Sequence, residues 1–183
     1  MAHPVSPLAL PMPDMPPIPG VQVATGMAEI RYRAREDVMA MAFPAGTTVA
    51  GVFTKNRCPG APVEWSRVAL KSGKARGLVV TSGNSNVFTG KAGRETCAAT
   101  AEATAKILGC KPKEVFLAST GVIGERLPTE KLVGALPKVF AAVAETGFAA
   151  AAAAIMTTDT FPKASVHTAV IGETTVTIAG IAK

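Results

Sequence analysis

Three short segments of this chain gather residue types that can do chemistry. The first is Ser119-Thr-Gly-Val-Ile-Gly124, where Val115–Ser119 reads as a strand that stops at Thr120-Gly121. A strand ending on Thr-Gly presents a hydroxyl and flexible backbone N–H donors, the groups that stabilise a tetrahedral oxyanion in acyl transfer. As a bare pattern it is weak, because many loops contain Ser-Thr-Gly. The second is Ser82-Gly-Asn-Ser-Asn86, whose small polar residues follow an apolar run. It reads equally well as a nest of N–H groups for an anion or as a corner. The third is Ile155-Met-Thr-Thr-Asp-Thr160, hydroxyls and a carboxylate after an Ala-rich stretch, with turn formation as the plain alternative.

An attacking group is harder to find. A covalent catalyst needs a nucleophile beside a base. The two histidines are His3, in a Pro-rich stretch, and His167, in a strand-like alternation without a neighbouring acid. His167 therefore reads as an ordinary strand histidine. The zinc-protease, hydrolase-elbow, P-loop and dinucleotide signatures are absent. Cys58, Cys97 and Cys110 are odd in number and lack a C-x-x-C spacing, which argues against a disulfide framework and a zinc site and for reduced thiols in a cytoplasmic protein. No metal site is expected.

The elements that position these segments follow from pattern. Residues 21–33, Met39–Phe43 and Thr48–Thr54 read as strands, with a turn at Pro44-Ala-Gly46. Pro62–Leu70 reads as a helix with proline in its first turn, and Gly77–Val80 as a buried strand. Thr81–Gly90 reads as a loop. Lys91–Leu108 is the clearest helix, with Ala98, Ala101, Ala105 and Leu108 on one side and Gly109 as its stop. Thr129–Val143 reads as a helix broken or kinked at Pro137. Gly147–Ile155, with six consecutive alanines, reads as a closely packed helix and Met156–Thr160 as extended. Val166–Ile171 and Thr174–Ile181 form a hairpin about Gly172-Glu173. Strands and helices mix without regular alternation, so the fold class is α/β, of an α+β-like kind.

Composition agrees. Of 183 residues, 48% are hydrophobic but only 5% aromatic, so the core rests on small and β-branched side chains that let layers approach closely. The net charge of +6 is spread over scattered lysines and arginines, and one Trp and one Tyr provide no base-stacking platform. This reads as a solvated surface facing small anions rather than nucleic acid. No apolar run has the length of a membrane span. Residues 1–20 carry seven prolines and read as an extended arm on a single body formed by residues 21–183.

Taken in order, Gly51-Val-Phe-Thr-Lys-Asn-Arg57, Ser82-Gly-Asn-Ser-Asn86 with Thr89-Gly90, Ala118-Ser-Thr-Gly-Val-Ile-Gly-Glu125, Ala154-Ile-Met-Thr-Thr-Asp-Thr160 with Pro162-Lys163, and Gly180-Ile-Ala-Lys183 resemble the ornithine acetyltransferase family of arginine biosynthesis. The likeness runs from about residue 20 to the end; the Pro-rich arm has no counterpart that this resemblance can place. It implies a precursor that cuts itself before a Thr, a short Gly-containing stretch beyond the position of Lys183. The resulting α and β chains share stacked β-sheets between helix layers, in an αβ unit that is usually doubled to α2β2. The nucleophile is then the new N-terminal Thr of the β chain, which explains why none is found here. The resemblance implies that the Thr120 hydroxyl and Gly121 N–H form the oxyanion hole. It places Thr157 and Lys183 at substrate contacts, where a cation suits an α-carboxylate. The implied reaction moves an acetyl group from N-acetylornithine to glutamate without a cofactor, with acetyl-CoA as a possible second donor in bifunctional members. The residues by themselves leave two other readings open: another self-cleaving N-terminal-nucleophile amidohydrolase or aminopeptidase, and a non-catalytic anion-binding domain.

Overall fold

The computed structural model describes residues 5–183. A four-stranded sheet in the order β1 (Gln22–Gly26), β2 (Val38–Ala42), β3 (Gly77–Asn84), β4 (Val115–Val122) forms the centre. The first three strands run antiparallel, whereas β3 and β4 are parallel and are joined through helix α2 (Gly90–Leu108). Helices α1 (Ala61–Ala69) and α3 (Thr129–Ala141) join α2 on one face of the sheet. The short helix α4 (Phe148–Ala154) lies against the other face. A separate two-stranded sheet, β5 (Lys163–Ile171) and β6 (Thr174–Ala182), completes the chain.

Strand alternation sends side chains to two different cores. Val38, Ala40, Val79, Val115 and Leu117 meet Ala101, Ala105, Leu136 and Val139 of the helices. Val23, Met39 and Met41 meet Phe148, Ala151 and Ile155, with Met15 and Ile18 from the stretch before β1 packed beside them. Both clusters are rich in small side chains, as the composition requires. The inner face of α2 differs from its expected alanine stripe. Thr96, Cys97, Thr100 and Thr104 are buried with Ala101 and Ala105, while Ala98 and Leu108 are only half-buried. Thr96 and Thr100 donate their hydroxyls to the carbonyls of Ala92 and Thr96, at 3.0 and 2.7 Å, and so tolerate burial.

Away from the β3–β4 pair, three expectations need correction. Residues 21–33 yield only β1, because the buried carboxylate of Asp37 accepts the N–H groups of Ala28 and Ile30, at 2.7 Å each, and bends the following segment into a loop. Thr48–Thr54 is not a strand: Thr48 makes one isolated bridge to Lys74, and Val52 is 97% exposed, with no layer to pack on. Met156–Thr160 bends rather than extends, since the Asp159 carboxylate accepts the Thr157 N–H at 3.1 Å. Pro137 sits inside α3 without ending it. The remaining helices and the hairpin fall within a few residues of their expected bounds, with Pro62 in the first turn of α1 and Gly109 in a left-handed conformation at the end of α2.

Candidate functional site

The parallel pair β3–β4 builds the site. Both strands run further than their sequence pattern indicates, so Thr81–Asn84 is strand rather than loop, and Thr120-Gly121 lies within β4 rather than after it. Polar side chains are accepted there because each finds a partner. Thr81 donates its hydroxyl to Ser119 at 2.8 Å across the pair. Ser82 is fully buried and donates to the Ala154 carbonyl at 2.7 Å, tying the last turn of α4 to β3.

Gly83 faces Gly121 in the register, and the ladder shifts at Gly83–Asn84. Gly121 has φ +132°, and a Cβ there would lie 2.3 Å from the Gly83 carbonyl carbon and 2.5 Å from the Asn84 nitrogen. Glycine is therefore required by the approach of two backbones as well as by conformation. The residues after this point are also fixed. Ser85 donates both its N–H and its hydroxyl to the Val122 carbonyl, at 2.9 and 2.7 Å, and Asn84 donates its amide to Glu125 O at 3.1 Å. Asn86 is buried, takes Asn84 Oδ1 on its own N–H, and gives its amide to Gly93 O and Cys97 Sγ of α2. The polar side chains of Ser82-Gly-Asn-Ser-Asn86 are thus spent on holding strand ends and a helix together, which favours the corner over the anion nest.

Thr120 is half-buried, and among the described residues its hydroxyl makes no hydrogen bond. It opens onto a cleft of about 340 Å³ floored by Met39, Met41, Leu78 and Val80 and closed on one side by Lys183. Lys183 follows β6 directly and donates to Thr157 Oγ1 at 2.8 Å and to the Asp159 carboxylate. The structure therefore brings together three of the four residues singled out from sequence: Thr120 with Lys183 on one cleft, and Thr157 on the ammonium of Lys183. Gly121 adjoins Thr120 in β4.

Two further groups belong to this neighbourhood, and sequence reading missed their importance. Asp159 carries both Lys183 and Lys163, the latter at 2.8 Å. Burial pushes its carboxyl upward, but hydrogen bonds from Lys163, Lys183 and the Thr157 N–H outweigh that and hold it well below the usual carboxylate range. The loop between β1 and β2 is the other. Arg35 donates to Met156 O and stacks 4.3 Å from the Tyr32 ring centre, while Arg31 pairs with Glu125 at 2.9 Å. The loop thus bridges the Thr157 bend and the segment after Gly121. The Asp in Thr157-Thr-Asp159 was a visible signal; a loop arginine reaching over a hundred residues has none.

The other chemical candidates stay apart from the cleft. His167 is exposed on β5 opposite Ile178, as an ordinary strand histidine would be, and His3 lies outside the described residues. Cys97 is buried, and desolvation, with a small opposing contribution from Asn86, pushes its thiol up to about 12. Among the described residues no group of three or more His, Cys, Asp or Glu could hold a metal ion, and no helix is long and apolar enough to cross a membrane.

Residues 22–183 match the ArgJ family. The chain belongs to this family. It is 56% identical over 180 residues to the arginine biosynthesis bifunctional protein ArgJ of Gluconobacter oxydans, covering 98% of this chain and 42% of that protein. It is 57% identical over 185 residues to the ArgJ protein of Bradyrhizobium diazoefficiens, covering 100% of this chain and 45% of that one. The chain thus spans less than half the length of these relatives. The alignments also take in the Pro-rich stretch, so that segment does have counterparts. Among solved structures, the ArgJ protein of Bacillus halodurans overlays with a TM-score of 0.84 at 28% identity, covering 90% of this chain and 86% of that one. The ornithine acetyltransferase of Mycobacterium tuberculosis, solved with ornithine, overlays at 0.82 and 35% identity, covering 90% and 88%. The mixed α/β fold read from the sequence is the fold this chain shares with those two structures.

Proposed function

We propose that this chain is the α part of a glutamate N-acetyltransferase that moves the acetyl group of N-acetylornithine to glutamate through an acetyl-Thr intermediate on a β chain. The observation that carries the reading is the cleft itself: a Thr120 hydroxyl with no hydrogen-bond partner among the described residues, beside Gly121 on the parallel strand pair and sharing the cleft with Lys183. The coverage of the solved relatives supports two chains. There the matched chain is about as long as this one, whereas the full ArgJ proteins are more than twice as long.

In this reading the β-chain Thr hydroxyl attacks the acetyl carbonyl, and its α-amine, titrating near ~8, takes the proton. The Thr120 hydroxyl and Gly121 N–H receive the oxyanion. Lys183 and Thr157 hold the substrate α-carboxylate. The amine of ornithine leaves with a proton, the amine of glutamate attacks the acetyl-Thr ester, and the same donors act again. Acyl passes from N to O to N with no redox change, so no cofactor is required. The relatives' description as bifunctional favours acetyl-CoA as a second donor. The assembly is α2β2, in the cytoplasm.

The test is Thr120→Ala in the full-length, processed enzyme. Loss of one oxyanion donor slows turnover on the order of 100-fold or more while KM and assembly hold. Turnover within a factor of two of the parent removes Thr120 from the chemistry.

A further inference from the structure

The Thr157–Lys183 contact depends on a residue to which no role in the reaction has been given. Lys183 has three N–H donors and a flexible four-carbon stem. Two of the donors are engaged, one by the Thr157 hydroxyl at 2.8 Å and one by Asp159. Thr157 is itself held by Asp159, whose Oδ2, the oxygen that also takes Lys183, accepts its N–H at 3.1 Å. The other Asp159 oxygen takes Lys163 at 2.8 Å. Lys163 is saturated differently: it also donates to the Phe161 carbonyl at 3.2 Å and lies 4.5 Å from the centre of the Phe161 ring. One carboxylate therefore sets both substrate contacts at once, and only Lys183 of the two lysines lines the cleft with Thr120.

We propose that Asp159 is a positioning residue for the substrate α-carboxylate, fixing the Lys183 ammonium and the Thr157 hydroxyl at the cleft wall with one N–H of Lys183 directed to the ligand. The proposal rests on the reading of Lys183 as a carboxylate contact. The charge count fits the role. Two ammonium groups and one carboxylate leave a single positive charge, which balances one α-carboxylate without trapping it.

The experiment uses the full-length, processed enzyme with N-acetylornithine and glutamate. KM, kcat and the melting temperature are measured for Lys183→Ala, Asp159→Asn, Asp159→Glu and Lys163→Met. Because a hydrogen bond to a charged group carries more than a factor of ten in affinity, Lys183→Ala and Asp159→Asn each raise KM by about tenfold or more, with kcat within about threefold. Asp159→Glu recovers most of that loss. Lys163→Met leaves KM close to the parent even where it lowers the melting temperature, because its contacts are structural. Should Asp159→Asn fail to assemble, the pair Asp159→Asn with Lys163→Met leaves no uncompensated second lysine and carries the same expectation. A parent-like KM in Asp159→Asn, or in that pair, while Lys183→Ala raises it, overturns the proposal, as does a fall in KM, which marks Asp159 as a mere charge screen. An unchanged KM in Lys183→Ala refutes the carboxylate reading itself, a separate pattern.

Discussion

Gly121→Ala tests the geometry beneath the cleft most severely. The new Cβ would lie 2.3 Å from the Gly83 carbonyl carbon, 2.5 Å from the Asn84 nitrogen and 2.6 Å from the Gly83 oxygen. Ordinary contact begins near 3.4 Å, so the strand ends must separate by about 1 Å, and both partners are backbone atoms that cannot rotate away. The conformation adds to this, since φ +132° is a region that side-chain-bearing residues avoid at a cost of about 1–3 kcal/mol. Strain and overpacking together amount to about 3–5 kcal/mol. In the assembled enzyme, whose relatives are more than twice as long as this chain, that lowers the melting temperature by about 5 °C or more. Differential scanning fluorimetry on the assembled enzyme reads the shift. On the proposed function acetyl transfer falls with it, because Thr120 and Gly121 move with the strand end. Thr120→Ala, one residue away, leaves the melting temperature in place. A Gly121→Ala enzyme that melts within two degrees of the parent and turns over normally would refute the close approach of β3 and β4.

Other consequences are open to direct measurement. Thr104 is buried on α2 with a hydroxyl that finds no partner among the described residues, so the isosteric Thr104→Val raises stability by about 1–2 kcal/mol in urea denaturation; a loss of stability contradicts the unpaired hydroxyl. Asp159 titrates below its ordinary 3.8 in the folded chain. A depressed carboxyl contributes stability that is complete above its unfolded value and disappears as pH falls through the folded one. The stability difference between the parent and Asp159→Asn is therefore full above about pH 5 and shrinks progressively below pH 4, and a pH-independent difference rules out the lysine bridge. With its thiol at about 12, Cys97 is roughly one part in ten thousand thiolate at pH 8. Iodoacetamide followed by peptide mapping should label the exposed Cys58 in native protein and Cys97 only after unfolding; rapid native labelling of Cys97 speaks against its burial.

Much of this architecture was legible because local rules and tertiary packing agree. Gly109 stops α2, Pro62 opens α1 and Gly172-Glu173 turns the hairpin for reasons contained in a few neighbouring residues. Reading failed where a distant partner overrides the local pattern. Ser82 and Asn84 look like loop residues, yet they belong to β3 because the Ala154 and Glu125 carbonyls accept their side chains. Residues 48–54 alternate like a strand, but a strand needs a neighbour as well as alternation. At the site, Thr120 and Lys183, singled out from sequence, do line one cleft, with Thr157 on the Lys183 ammonium. What could not be read was that Asp159 gathers Lys163, Lys183 and Thr157, since the participants come from a bend and from the two ends of a hairpin.

That hairpin has a bearing on timing. β5 and β6 pair along their whole length but remain largely exposed, with Val170, Ile171 and Ile178 71%, 68% and 56% open to solvent. A lone two-stranded ribbon is marginal in water, whereas β3 is largely buried, α2 and β4 pack one side into the core, and the unit closes over a short stretch of chain. During synthesis Thr120 and Gly121 are thus held in place early. Lys183, carried at the far end of the hairpin, joins them only once β5 and β6 have paired. The Lys183 contacts with Thr157 and Asp159 therefore depend on the hairpin holding together, whereas the backbone around Thr120 and Gly121 is held by β3.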